Sequence, residues 1–154
     1  MNRSRLLNKK VKKFESMAKS VNILLDLGFQ YNKFKHIPCH GPAGESFEFE
    51  FISKHGISVE FTFYPAFNNK PDYVVLYIIN EKINRDFSLE SWVQKYKSKP
   101  TISPFNLSSY HGDYEQQLNE FLNFLNKLFT DRNLKLVIEG KEWNDVKFNW
   151  GDLK

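Results

Sequence analysis

The run Phe47-Glu48-Phe49-Glu50-Phe51-Ile52, the residues Lys54-His55-Gly56 and the run Ile57-Ser58-Val59-Glu60-Phe61-Thr62-Phe63-Tyr64 constrain the fold more than any other part of this chain. Side chains alternate across a strand, so Phe47, Phe49 and Phe51 fall on one face and Glu48 and Glu50 on the other. Val59, Phe61 and Phe63 repeat the split against Ser58, Glu60 and Thr62. A three-residue loop of Lys54, His55 and Gly56, with the glycine left-handed after a type I turn, sets Phe51 opposite Val59 and Phe49 opposite Phe61. A two-residue His-Gly loop would set Phe51 against Glu60 and turn one aromatic set to the wrong face. The sequence therefore specifies a hairpin together with its register.

That register places Glu50 opposite Glu60, with Glu48 one pair further along, and like charges facing each other across a ladder are destabilising. Two readings follow. One is a solvated outer face neutralised by lysines and water, where exposed charge matters little. The other is an acidic recognition surface of Glu48, Glu50 and Glu60, fringed by Tyr64, for a basic partner.

At 154 residues the chain is long enough to bury a core of its own and is read as a single domain, 1–154. Fifteen Phe, seven Tyr and three Trp are a heavy aromatic load, and at least half of these rings are expected inside. Abundant Lys, Asn and Phe with scarce Ala match A/T-rich codons, which suggests a bacterial or phage source. Cys39 is the only cysteine, so no intramolecular disulfide can form and a reducing compartment is expected. The first residues continue into lysines instead of an apolar run, and no apolar stretch reaches membrane-spanning length. The expected location is cytoplasmic, with no membrane partner.

The net charge of +4 hides an asymmetry. Residues 1–35 hold nine Lys or Arg against Glu15 and Asp26, giving +7, and the remainder sums to −3. The charge lies mostly on a helix predicted over about residues 5–27, whose apolar positions Leu7, Val11, Phe14, Ala18, Val21 and Leu25 recur at spacings of three and four, widened by Met17 and Leu24. Gly28 followed by apolar Phe29 has the form of a Schellman stop. A basic helix invites phosphate contacts through Lys9, Lys10, Lys12 and Lys13, but a core helix also needs a soluble outside and no nucleic-acid motif surrounds this one. Nucleic-acid binding is accordingly the alternative reading.

Phe29 to Phe34 has the length of a short edge strand, and His36 to Gly44 reads as a loop from its Pro and Gly content. His36, Cys39 and His40 there raise the question of a metal or a thiol nucleophile. A zinc site needs further ligands, whereas His55 and His111 are distant in sequence and adjacent Cys39 and His40 point apart on an extended chain. A nucleophile needs a facing base and an oxyanion hole. No metal or cofactor is expected, and an enzyme with a site near Cys39, His40 and the 98–112 segment is a further alternative.

Tyr73 to Ile79 is a third strand, apolar on both faces and hence central or covered from two sides, in an antiparallel meander. Ser88 is a predicted N-cap for a short helix through about Lys97 with Leu89, Trp92, Val93 and Tyr96 inward. Residues 98–112 form a long loop, either functional or pinned over the core by its aromatics. Asp113 and Gln116 make a capping box for the best helix of the chain, carrying Leu118, Phe121, Leu122, Leu125, Leu128 and Phe129. Leu134 to Ile138 fits helix or strand, and helix ended by Gly140 is favoured. The aromatic tail, 141–154, holds Trp143 and Trp150, which either fold back on the body or serve as anchors for a partner.

The expected fold class is therefore α+β, an antiparallel sheet of three to four strands (hairpin 47–64 plus strand 73–79) packed against an N-terminal helix and a long C-terminal helix. With its Leu24-Leu25-Asp26-Leu27-Gly28-Phe29 helix stop, its Phe/Glu hairpin and its long helix leading to Glu139-Gly140-Lys141-Glu142-Trp143, the chain resembles the small α+β immunity proteins encoded beside bacterial polymorphic toxins. The resemblance implies a cytoplasmic protein that binds and blocks one cognate toxin and performs no chemistry of its own. Because the chain is basic overall, the acidic hairpin face would steer such a partner locally. The residues expected to bind it are Glu48, Glu50, Glu60, Tyr64, Trp143 and Trp150.

Overall fold

The aromatic alternation builds the centre of a five-stranded antiparallel sheet. In this computed structural model, which describes residues 3–38, 44–67, 69–96, 105–141 and 143, the strands are β1 (Gln30–Ile37), β2 (Ser46–Ile52), β3 (Ile57–Tyr64), β4 (Tyr73–Asn80) and β5 (Arg85–Ser88). Their spatial order is their sequence order, a meander. The hairpin has the expected register: Phe51 pairs with Val59, Glu50 with Glu60 and Phe49 with Phe61. Gly56 at φ +77° closes the three-residue loop, its N–H donating to the Ser53 carbonyl at 3.1 Å.

The sheet has five strands where three to four were expected, the difference lying at its two edges. β1 continues past Phe34 through Lys35, His36 and Ile37, because antiparallel pairing with Glu48, Phe47 and Ser46 holds extended a stretch that reads locally as loop. β5 is four residues long and opens on exposed Arg85 and Asp86, so it carries no alternation to read. It exists because the turn after Asn80, with Asn84 at φ +52°, returns the chain alongside β4.

The single helix expected over 5–27 is two, α1 (Arg3–Ala18) and α2 (Asn22–Asp26). Between them the Ser20 hydroxyl donates back to the Ser16 carbonyl at 2.7 Å, and Val21 is extended. The break changes the helical phase: Leu24 is 1 % exposed and Leu25, placed on the apolar stripe by spacing alone, is 52 % exposed. The stop at Gly28 is a Schellman motif, with Phe29 N–H donating to the Leu24 carbonyl and Gly28 N–H to the Leu25 carbonyl.

Ser88 caps α3 (Leu89–Tyr96), its Oγ accepting from the Ser91 N–H, and Leu89, Trp92 and Val93 are buried. Asp113 and Gln116 form the expected reciprocal capping box at α4 (Tyr114–Leu128). Residues 134–138 are helical, within α5 (Arg132–Ile138), which Asp131 caps and a second Schellman turn at Gly140 ends. Of the 98–112 segment, the described residues 105–112 are tied to the core. The Phe105 carbonyl accepts from Val74 N–H, and the Phe105 ring meets Phe121 and Phe124 edge-on.

One continuous core joins these elements. Phe14 of α1 stacks on Phe63 at 4.7 Å and tilts against Phe49 at 5.5 Å, while Tyr114 of α4 meets Phe63. Among the described residues, the ring contacts between these two helices and the sheet all fall on the phenylalanine face. The carboxylate face is the other one. No helix among the described residues is long and apolar enough to cross a membrane.

Candidate functional site

Alternation delivers Glu48, Glu50, Glu60 and Thr62 to the outer face of the sheet, and cross-strand pairing arranges them in rows. One row runs Lys33, Glu50, Glu60, Tyr77, Ser88 from β1 to β5. The next runs Lys35, Glu48, Thr62, Val75. Tyr64 pairs with Tyr73 one step further on. The three glutamates are all half-buried, because the small residues between them let larger side chains crowd together: Thr62, in the middle of this face, is only 3 % exposed.

The three carboxylates are compensated unequally. Glu50 is held on both oxygens, by Lys33 Nζ at 3.7 Å and by the Asn32 amide at 3.2 Å. Glu60 accepts from the Thr62 hydroxyl at 3.3 Å. Glu48 has no hydrogen-bond or ion-pair partner among the described residues, although Lys35 is its neighbour across the ladder. Burial, and then the charge of Glu48, push the Glu60 carboxyl above its ordinary value, and the Thr62 hydrogen bond only partly opposes them. Burial followed by the Glu48 and Glu60 charges likewise raises the Tyr64 hydroxyl. Tyr77 is raised by burial, then by Tyr64 and Glu60. Both tyrosines therefore stay neutral donors beside the carboxylates.

At its end the acidic face meets a cleft of about 270 Å³ lined by Tyr64, Pro65, Phe67, Lys70, Pro71 and Tyr73. The Tyr73 hydroxyl donates to Glu90 of α3. A surface of this kind offers anionic acceptors beside aromatic faces, the combination that receives a guanidinium or ammonium group through charge-assisted hydrogen bonds and cation–π contact.

Trp143 is not on any surface. It is 3 % exposed, its indole N–H donates to the Val137 carbonyl at 2.8 Å, and its ring lies 5.6 Å from Phe87 on the core side of the sheet. Arg85 reaches across to donate to the Trp143 carbonyl. It thus takes the folded-back alternative left open for the tail, and is removed from the set of partner anchors. Trp150, Cys39 and His40 lie outside the described residues.

The basic helix is divided by its own geometry. Lys10 turns to Asp72 at 2.6 Å and lies over the Tyr114 ring, so it ties α1 to the β3–β4 connection and to α4. Lys13 pairs with Glu115 of α4. Lys9 and Lys12 are exposed and, with Lys13, line a cleft of about 500 Å³ floored by Met17 and Leu118 between α1 and α4. Among the described residues no group of three His, Cys, Asp or Glu side chains could hold a metal ion.

Lys33 and Tyr77 belong to the acidic site and escaped sequence reading. Lys33 reaches Glu50 only because β1 carries an irregularity between Tyr31 and Lys33. Tyr77 faces Glu60 through a β3–β4 register that the intervening loop does not fix. The chain matches no protein-family model, no curated protein and no solved structure.

Proposed function

We propose that this chain is a non-enzymatic protein-binding module that neutralises a cognate bacterial toxin by seating a basic surface of that toxin on the outer face of its sheet. One observation carries the reading: Glu48, Glu50 and Glu60 are crowded on an outer face where, among the described residues, only Glu50 has a lysine, Lys33, within ion-pairing distance. Crowded carboxylates cost stability in the free protein. An incoming Arg or Lys would remove that cost, so the cost becomes affinity and partner selection. The neutral hydroxyls of Tyr64 and Tyr77 and the adjoining aromatic cleft supply orientation and apolar contact.

Co-expression with the product of the adjacent gene tests this, scored by growth rescue and by a stable complex on size exclusion. Rescue with a tight complex is expected, and the triple reversal Glu48→Lys, Glu50→Lys, Glu60→Lys should abolish both in a protein that remains folded. A complex indifferent to that reversal would refute the proposed surface. Absence of rescue together with steeply salt-dependent nucleic-acid binding, lost on replacing Lys9 and Lys12, would refute the function and favour the basic cleft.

A further inference from the structure

The cleft at the end of the acidic face is held in shape by its own framework. Tyr64 and Tyr73 pair directly across β3 and β4, and the remaining walls, Pro65, Phe67, Lys70 and Pro71, belong to the connection between those strands. That connection is tied down. Phe67 and Lys70 exchange backbone hydrogen bonds at 3.2 and 2.9 Å. Asp72 accepts from the Ala66 N–H at 2.8 Å on one oxygen and pairs with Lys10 of α1 at 2.6 Å on the other. The two prolines fix their own φ. All three aromatic and both proline residues nevertheless stay partly exposed. A preformed apolar cleft loses little freedom when it is filled.

Charge sets the sign of its occupant. Glu48 and Glu60 both act on the Tyr64 hydroxyl, and Glu90 accepts from the Tyr73 hydroxyl. Three carboxylates thus stand at the two tyrosines against one lysine on the walls, Lys70. The other lysines of this face, Lys33 and Lys35, stand two strands away on β1, beside Glu50 and across the ladder from Glu48. Backbone availability sets its form. β3 is paired on both sides, and the free side of β4 at Tyr73 is taken by residues 105–107, through Val74 N–H to the Phe105 carbonyl and Leu107 N–H to the Asp72 carbonyl. No strand can add there. An α-helix, about 10 Å across with its side chains, is too wide for a cleft of about 270 Å³.

A polyproline II segment meets both conditions, because it is narrow, makes no internal hydrogen bonds and leaves its carbonyls free to accept. The Tyr64 hydroxyl has no hydrogen-bond partner among the described residues and is a donor for such a carbonyl. We infer that the Tyr64–Tyr73 cleft is a polyproline II site: it takes a proline ring of an extended partner segment, and an arginine or lysine of the same segment reaches Glu48 or Glu60. Glu48 is a diagonal neighbour of Tyr64, at about 8 Å, and Glu60 lies four residues back along β3, at about 13 Å. At about 3.1 Å per residue, the basic residue stands about two to four positions from the proline. The inference rests on the reading that this face receives a basic partner, and it names the form in which that partner arrives.

The test uses the full chain and a fluorescent peptide of proline and alanine with two arginines, made in two forms with the arginines at either end. Control peptides carry glutamate for arginine or leucine for proline. One arginine form is expected to bind, with each control weaker by about tenfold. Tyr64→Phe, which keeps the ring, should weaken binding about threefold through the lost hydroxyl, at an unchanged urea midpoint. Phe67→Ser should weaken it about tenfold independently of salt. Glu48→Gln with Glu60→Gln should erase the preference for arginine over glutamate and keep the preference for proline over leucine. No binding of either arginine form, equal binding of the leucine peptide, or indifference to both cleft variants would overturn the inference. A complex with the adjacent gene's product that is lost on reversal of the three glutamates but indifferent to Tyr64→Phe and Phe67→Ser would overturn it too, and would leave the toxin-binding face standing. Peptide binding with the expected pattern but without any such complex would support the cleft and refute only the toxin as its partner.

Discussion

The two faces of the β2–β3 hairpin are made from alternate residues of one short phrase, and they are stabilised in opposite ways. On the α1 side, Phe49, Phe61 and Phe63 are fully buried and meet Phe14, so each ring removed from water adds to stability. On the other side Glu48, Glu50 and Glu60 sit close together, half-buried, where each added charge raises the cost of the next. A single strand thus separates what holds the fold from what is available for recognition. The core face tolerates little change, and the acidic face gives up some stability to keep its charges.

The comparison is broken most severely by Phe61→Ala. A fully buried ring at the centre of the aromatic face should cost about 4 kcal/mol, seen as a large drop in the urea midpoint. If the loss were under about 1 kcal/mol, the aromatic face would not be the source of stability. Trp143→Phe comes next. It removes volume and the hydrogen bond to Val137, and should cost about 1–2 kcal/mol while leaving partner affinity unchanged, because the ring is inside. Loss of affinity at full stability would return Trp143 to the surface.

Glu60→Gln sharpens the other half and should stabilise the protein by about 0.5 kcal/mol at neutral pH, a figure already reduced for solvent screening. The pH dependence fixes the mechanism. Because the folded-state value of Glu60 is raised, the folded state holds this proton more tightly than the unfolded chain. The Glu60 contribution is therefore favourable at low pH and is lost as pH rises from the ordinary carboxylate value through the raised one. The advantage of the Gln variant should vanish below the carboxylate range, and an advantage independent of pH would place its origin elsewhere. Lys33→Ala is the smallest effect, a loss of about 0.3 kcal/mol that disappears in high salt, since the lysine end of its pair with Glu50 is largely exposed.

Part of the candidate site was legible before any coordinates. Glu50 facing Glu60 follows from a three-residue loop and alternation alone, since both act within a few residues of Gly56. The unequal compensation of the three carboxylates was not legible. It depends on Lys33 and Asn32, which arrive from β1 across the unpredicted irregularity at Tyr31/Lys33, and on Tyr77, which arrives from β4 after a loop that sets no register. The four lysines of the basic helix look alike in sequence. Only the approach of Asp72 and Glu115 from distant segments distinguishes Lys10 and Lys13 from Lys9 and Lys12.

By itself the sequence determined the α+β class, the hairpin and its register, the capping box at Asp113 and the Schellman stop at Gly28, because each rests on contacts between residues a few positions apart. The tertiary structure decided the extension of β1 to Ile37, the short strand β5, the break at Ser20 that exposes Leu25, the burial of Trp143 and the neighbours of the acidic face. These depend on which segments meet across long stretches of chain. Such meetings are selected by the total apolar area buried in one core, which no local pattern contains.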